Sequence, residues 1–476
     1  MRTSEYDLVV IGAGPVGENV ADRAAQGGLS VAIVERELVG GECSYWACMP
    51  SKALLRAGSA LRAARDVDGA RQAVSGSVDV PGVLRRRDEM ASHWDDASQV
   101  EWLESAGIDL VRGHGRLGGA REVIVTDAAG ESTTLVARHA VAVCTGSAAL
   151  LPDIPGLADA APWTSREATA VRDVPTSLAI LGGGVVGAEM ATAFASLGCA
   201  VTLVARSGLL GAWEPFVGET VQKALEDAGV DVRTQVELER VARVGDDVVL
   251  TLSDGAEVRA AEILVATGRV PRTDDIGLET VGLEPGEWIK VDDTMRVVDR
   301  DGLYAVGDVT HRALLTHQGK YQARAAGDAI AARARGETLD DGPWGRHVAT
   351  ADHSAVPQVV FADPEVASVG HTEASAIEGG LRIRVLDQDL AAIAGATAHA
   401  DHFAGHARAI VDLDRGTIVG ATFTGPDIAE LLHAATIAVV GEVPLDRLWH
   451  AVPAFPTVSE VWLRWLEQYG RPQPAG

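Results

Sequence analysis

Two short glycine runs, one near the start of the chain and one near residue 182, each sit between an apolar stretch and a helical one. Gly12-Ala13-Gly14-Pro15-Val16-Gly17 follows the apolar segment Asp7 to Ile11 and opens the helical stretch Glu18 to Gln26. In a strand-to-helix turn of this kind the first glycine permits the tight turn. The second lets backbone N–H groups approach a pyrophosphate at the helix N-terminus, and the third allows close helix-to-strand packing. The next predicted strand, Ser30 to Val34, ends in Glu35, whose carboxylate can accept both hydroxyls of an adenosine ribose. The second run, Gly182-Gly183-Gly184-Val185-Val186-Gly187-Ala188-Glu189, follows the apolar Leu178 to Leu181 and precedes a second strand, Ala200 to Val204. Where the first unit has Glu35, this one has Ala205 and then Arg206. A guanidinium beside the ribose can pair with a 2′-phosphate, so the second site is expected to take NADPH rather than NADH.

Two nucleotide sites need more than one core, and 476 residues with 47% hydrophobic content supply two to four domains. The formal charge of −26 excludes a phosphate-backbone partner, which needs a concentrated Lys/Arg face; no nucleic acid is expected. The chain runs from Met1-Arg2-Thr3 straight into the strand at Tyr6, and no run of about 18 uncharged apolar residues occurs. A cytoplasmic location with no membrane partner is the expectation. There are four cysteines, and in a reducing compartment Cys43 and Cys48, five apart, point to redox cycling more than to a structural staple.

Leu303-Tyr304-Ala305-Val306-Gly307-Asp308-Val309 reads as a strand ending in an aspartate, the arrangement that places a carboxylate on a flavin ribityl chain. The other ordered motifs are Gly40-Gly41-Glu42-Cys43-Ser44-Tyr45-Trp46-Ala47-Cys48-Met49-Pro50-Ser51-Lys52, Cys144-Thr145-Gly146, Ala266-Thr267-Gly268-Arg269, Leu315-Thr316-His317, and Val356 to Phe361 with Thr372-Glu373. On these and the two glycine fingerprints, the chain resembles the class I pyridine nucleotide-disulfide oxidoreductases. That family holds dihydrolipoamide dehydrogenase, glutathione reductase and mercuric reductase, and the likeness runs from about Tyr6 to about Tyr469. It implies an α/β fold with two Rossmann-like dinucleotide-binding domains, one for FAD and one for NADPH, plus an α+β C-terminal dimerisation domain of a homodimer. The FAD domain would comprise residues 1–155 and 276–345, the NAD(P)H domain 156–275 and the dimerisation domain 346–476. The segments Gln358 to Phe361, His406 to Asp412 and Thr417 to Phe423 alternate as antiparallel strands do, and the tail Arg471 to Gly476 is expected to fray.

The resemblance also implies roles for single residues. Cofactor binding falls to Gly12, Gly14, Gly17, Glu35, Lys52, Gly115, Thr145, Gly146, Gly307, Asp308, Leu315, Thr316 and His317, and to Gly182, Gly184, Gly187, Arg206 and Gly268. Cys48 would be the flavin-side thiolate and Cys43 the outer thiol that meets a small-molecule substrate. Lys52 would lie along the flavin edge, paired with Glu189, each charge offsetting the other's burial. Val185 stands where several relatives carry a gating tyrosine.

Phe455-Pro456-Thr457-Val458-Ser459-Glu460 occupies the place of a His-Pro-Thr-x-x-Glu signature, so Phe455 replaces the expected acid/base while Glu460 is kept. General acid-base help of that kind is worth about 10² to 10⁴ in rate. The same phenylalanine occurs in 2-ketopropyl-coenzyme M oxidoreductase/carboxylase, where this chain's Glu460 is a second histidine. His450 is not expected to substitute as the base.

Cys144 and Cys199 lie in apolar strand contexts as small buried hydrophobes, and His399, His402 and His406 are not expected to bind a metal. No cysteine follows Cys199, so the C-terminal pair of thioredoxin and mercuric reductases is missing. Three readings stand. The first is an FAD enzyme passing electrons from NADPH through Cys43 and Cys48 to a small acceptor such as an unusual disulfide, a quinone or a metal ion. The second is a thioether-cleaving lyase or carboxylase-like enzyme in which Cys43 attacks the thioether, and the third a subunit that keeps flavin for stability.

Overall fold

The computed structural model describes residues 2–471, so the tail expected to fray falls, beyond Arg471, outside the described residues. The chain divides into two units. One comprises Met1–Pro50, Asp88–Leu150 and Gly268–His353, the other Ser51–Arg87, Leu151–Thr267 and Ser354–Gly476.

In the first unit the apolar runs Leu8 to Ile11, Val31 to Val34 and Ala140 to Val143 are buried along their whole length. Strands covered on both faces read as continuous hydrophobic runs and pair in parallel. Accordingly Ile108–Arg112, Val31–Glu35, Arg2–Ile11, Ser132–Val143 and Leu303–Ala305 lie side by side in that order, all parallel. The long strand Ser132–Val143 also carries, at its start, an antiparallel meander of Glu122–Thr126 and His114–Gly119. The helix Pro15–Gln26, with proline at its first turn, buries Val20, Ala21 and Ala24. It lies against the helix Thr316–Ala334, where Gly319 lets Val16 approach and Arg23 bonds Asp328 at 2.7 Å.

The segment Leu303 to Val309 departs from the strand expected of it. The ladder stops at Ala305, because Gly307, at φ +82, turns the chain and gives its N–H to the Gln322 side chain at 2.9 Å. Asp308 therefore sits in a short 3₁₀ turn, Asp308–Thr310, one step beyond the strand.

The second unit repeats the pattern around the second fingerprint. Asp231–Thr234, Ala200–Ala205, Ser177–Leu181 and Glu262–Val265 form a parallel sheet in that order, next to a three-stranded antiparallel sheet of Leu238–Val244, Asp247–Leu252 and Glu257–Ala260. The helix Val185–Ser196 is buried over most of its length, including Met190 and Phe194, and Ser196 comes close enough to Gly58 that a side chain there would clash. Arg87 is 2% exposed and donates to the carbonyls of Thr169 and Val171, satisfying the end of the helix Ser165–Thr169.

The same unit contains a five-stranded antiparallel sheet in the order Gln358–Val360, Glu365–Gly370, Thr417–Gly425, His406–Asp412, Ile383–Asp389. Thr417–Gly425 is buried at every residue, with no alternation of exposure. It is the central strand, and Phe423 packs against Trp465 of the helix Val461–Tyr469. No helix among the described residues is long and apolar enough to cross a membrane.

Candidate active site

The two fingerprints close in the same way. A Cβ on Gly12, at φ +101, would meet the Cys144 carbonyl oxygen at 2.5 Å, and one on Gly17 would meet the Gly12 oxygen at 1.9 Å. The corresponding contacts of Gly182, at φ +121, and Gly187 are 2.3 Å to the Ala266 oxygen and 1.9 Å to the Gly182 oxygen. The middle glycines, Gly14 and Gly184, are the N-caps of their helices, and a Cβ on either would meet nothing within 4 Å. Each turn is thus crowded where chain meets chain and open where a diphosphate would approach the helix N-terminus.

In the first unit the surroundings fit FAD. The Glu35 carboxylate is held at the end of its strand by the N–H groups of Ala13, at 2.8 Å, and Glu37, at 2.7 Å. Gly115 lies against Val34 and Ile11, where a side chain would fill the space beside that strand end. The Thr145 hydroxyl is buried without a hydrogen-bond partner among the described residues, and Gly146, at φ +71, faces open space. Ser147 donates to Asp308 at 2.5 Å; burial pushes the Asp308 carboxyl up, while that bond and the Arg269 charge pull it down.

Cys43 and Cys48 are built onto this turn. Gly40 donates to the Ala13 carbonyl at 2.8 Å, and a Cβ on Gly41, at φ +54, would sit 2.9 Å from Gly14. The short helix Gly41–Tyr45 carries Cys43, and Cys48 opens the helix Cys48–Arg65. The buried Tyr45 donates to the Val39 carbonyl at 3.0 Å, and Trp94 donates to the Tyr45 carbonyl at 3.1 Å. Cys48 Sγ lies 3.3 Å from the Thr316 hydroxyl, on the first residue of the helix that follows Leu315, with the exposed His317 next. The Cys43 thiol is pushed well above its ordinary range, first by its hydrogen bond to Cys48, then by burial and by the Cys48 charge; Thr316 and the Lys320 ammonium oppose this. Cys48 stands at the N-terminus of its helix, where the helix dipole favours negative charge.

In the second unit Lys52 Nζ donates to Glu189 Oε2 at 2.9 Å and Oε1 at 3.2 Å, and lies 4.8 Å from the centre of the Phe361 ring. The Phe361 N–H also donates to Glu189, at 3.0 Å, so the 5%-exposed carboxylate is held from two sides. Val185 is exposed at the start of its helix. Arg206 is exposed, and no side chain among the described residues pairs with it. Gly268 belongs to the first unit, 3.6 Å from Leu150 measured from its would-be Cβ.

Phe455 is 75% exposed, whereas Glu460 is buried, its Oε2 lacking a hydrogen-bond partner among the described residues. Cys144 and Cys199 are both buried. His399, His402 and His406 pair with three different carboxylates, Asp427, Asp66 and Asp387, and His450 is exposed.

Three features escaped the sequence reading. Arg272 bonds Glu42 at 2.8 Å, and Gln318 and Gln322 both donate to Asp352. Only the acids and amides themselves were visible, since their partners come from distant segments. The third is Glu18, an acid placed among the apolar positions of the first fingerprint helix. Burial pushes its carboxyl up to about 7, the Lys320 charge opposing and the Glu35 charge reinforcing the shift, and Oε1 has no hydrogen-bond partner among the described residues. The folded chain then holds this proton above the pH at which the unfolded chain releases it, so the contribution to stability is complete below the ordinary glutamate range and is lost as pH rises through about 7. Glu18→Gln cannot ionise. It is expected to leave the thermal midpoint unchanged near pH 4 and to stabilise by up to about 3 kcal/mol at about pH 8. Equal midpoints at the higher pH would contradict this.

Residues 6–329 match the family described as pyridine nucleotide-disulphide oxidoreductase, and residues 356–465 match the dimerisation domain of that family. A mercuric reductase of Streptomyces lividans is 33% identical over 458 residues, 94% of this chain and 93% of that one. A dihydrolipoyl dehydrogenase of Haloferax volcanii is 33% identical over 469 residues, 95% and 94% of the two chains. The flavoprotein disulfide reductase RclA from Escherichia coli shares the fold, with a TM-score of 0.84 at 24% identity over 98% of this chain and 100% of that one.

Proposed function

The chain belongs to the pyridine nucleotide-disulphide oxidoreductase family, and from that premise we propose that it passes electrons from NADPH, through FAD and the Cys43–Cys48 pair, to a small-molecule acceptor. The observation that carries this reading is the seating of the two cysteines against the first fingerprint turn, Gly41 on Gly14 and Gly40 on Ala13. Relatives at equal identity are a mercuric reductase and a dihydrolipoyl dehydrogenase, so similarity does not choose the acceptor.

FAD would be held by Gly12, Gly14, Gly17, Glu35, Thr145, Gly146 and Asp308, and when bound supplies a two-electron relay between nicotinamide and disulfide. Gly182, Gly184 and Gly187 would take the second dinucleotide. Thr316 and the helix N-terminus at Cys48 hold negative charge on that sulfur, and Cys43 retains a proton while it awaits the acceptor. Lys52, fixed by Glu189, adds a positive charge whose own burial is compensated. The C-terminal residues 356–465 would pair two copies of the chain.

An anaerobic titration followed by visible absorbance tests the whole reading, and run with both nucleotides it tests Arg206. The parent should be reduced in preference by NADPH. Arg206→Glu should move the ratio of specificity constants toward NADH by about tenfold, because it removes a charge-assisted phosphate partner and puts a carboxylate near the ribose hydroxyls. An unchanged ratio would mean that Arg206 is a surface residue only, and no flavin reduction by either nucleotide would remove the reading.

A further inference from the structure

Glu42, the residue directly before Cys43, is tied to a part of the first unit that lies far away in sequence. Its carboxylate accepts from Arg272 at 2.8 Å, and the two side chains are 26% and 23% exposed. Arg272 is fixed at its other end. Its backbone N–H donates to the Gly146 carbonyl at 3.0 Å, and its Nε donates to the Ser147 carbonyl at 3.0 Å. It follows directly on Arg269–Pro271, a strand paired antiparallel with Ser147–Ala149, with Pro271 opposite Ser147. Ser147, 2% exposed, accepts from Arg269 at 2.6 Å and donates to Asp308 at 2.5 Å. One guanidinium therefore joins the short helix that carries Cys43 to the ribbon that holds Asp308.

We propose that Arg272 is a positioning residue for the Cys43–Cys48 pair, acting through Glu42, and that these two opposite charges together set how readily the pair is reduced. This rests on the redox reading given above. When the S–S bond between Cys43 and Cys48 breaks, two electrons pass to the two sulfurs. Cys43 takes a proton and Cys48 is left as the sulfur that carries charge. A reduced pair with one negative sulfur is sensitive to any net charge beside it. Arg272 offsets the Glu42 charge; removing it leaves that carboxylate, on the residue before Cys43, with less positive charge beside it, which opposes a thiolate. With Glu42 neutralised and Arg272 kept, the balance tips the other way. Two charges acting on the same sulfur pair must therefore have opposite signs of effect. A purely structural bridge, cut from either side, would act in the same direction.

The test uses the FAD-bound protein equilibrated with reduced and oxidised dithiothreitol. The protein disulfide opens as the dithiol closes its ring, two electrons pass to the protein sulfurs, and the reagent's two protons go to Cys43 and to solvent. The measured quantity is the fraction of Cys43–Cys48 in the dithiol form, by alkylation and mass. Arg272→Met is expected to lower the equilibrium constant for reduction about tenfold, which is about 30 mV for a two-electron couple. Glu42→Gln should raise it by about three- to tenfold, and the double variant should return to within about twofold of the parent. Arg272→Lys, which keeps the charge, should stay within about threefold. Shifts in the same direction for the two single variants, or none beyond twofold, overturn the proposal. Should Arg272→Met fail to bind FAD, Glu42→Gln decides alone, since a fall or no change in that variant has the same consequence. A parent that exchanges no disulfide with the reagent removes the redox reading itself. A parent that does exchange, with variants of the wrong sign, removes only the role of Arg272.

Discussion

Anaerobic two-electron reduction of the parent protein is expected to develop a long-wavelength absorbance band that Cys48→Ser never shows and that Cys43→Ser shows before any reductant is added. The asymmetry follows from where the two sulfurs lie. Cys48 begins an 18-residue helix, whose N-terminal dipole favours an anion, and its sulfur lies 3.3 Å from the Thr316 hydroxyl. The Cys43 thiol is raised by its hydrogen bond to Cys48, by burial and by the neighbouring sulfur's charge, against the opposing Thr316 hydroxyl and Lys320 charge. A serine at 43 removes the possibility of a disulfide and leaves Cys48 permanently available as the charged partner of a flavin. A serine at 48 leaves only Cys43, which does not stand at the N-terminus of the long helix. Either variant should lose turnover of a disulfide substrate by at least about a thousandfold, because no thiol relay remains. Flavin content and thermal midpoint serve as controls, and the same band in both variants would sink the division of labour between the two sulfurs.

The parts of this molecule that were legible in its sequence are those whose cause is local. Gly12 and Gly182 take φ of +101 and +121 in their tight turns, a conformation that favours glycine, and that need shows in the residue itself. The same holds for the apolar runs of the parallel sheets, which need no partner to be recognised. Asp308 shows where this stops. The sequence places it at the end of a strand, but Gln322 draws the Gly307 N–H out of the ladder, and no local pattern announces a side chain fifteen residues on. Thr417–Gly425 is similar, since its uniform burial reflects what covers it, not its own alternation. The bond from Arg272 to Glu42 spans 230 residues, and an acid beside a cysteine gives no sign of which arginine will neutralise it. Charge pairs of this kind are set by topology, so a sequence read in isolation supplies the charges and leaves the pairing open.

Phe455→His is expected to raise turnover of a generic disulfide by at least about tenfold and by as much as about 10³, within the range that general acid-base help supplies. The loop is prepared for such a residue in one respect. Glu460 is buried, and its Oε2 has no donor among the described residues, so an imidazole N–H five positions earlier would have a carboxylate available to orient it. Phe455 at 75% exposure and Val452 at 85% leave a large apolar surface at this loop, which a second copy of the chain would cover in the proposed dimer. On the proposed reading, phenylalanine there leaves Cys43 without a proton carrier from this loop, while Cys48 and burial raise its thiol. A histidine from the partner copy would take the thiol's proton and return it to the leaving thiol. The gain should follow a single ionisation between about pH 6 and 7, near the unperturbed imidazole value, and should vanish in the Phe455→His, Glu460→Gln double variant if Glu460 orients the ring. A native reaction that depends on excluding protons, as thioether cleavage followed by carboxylation would, should slow in the same single variant. No gain with any disulfide, in a variant that still binds FAD and still dimerises, would mean that this loop does not serve Cys43.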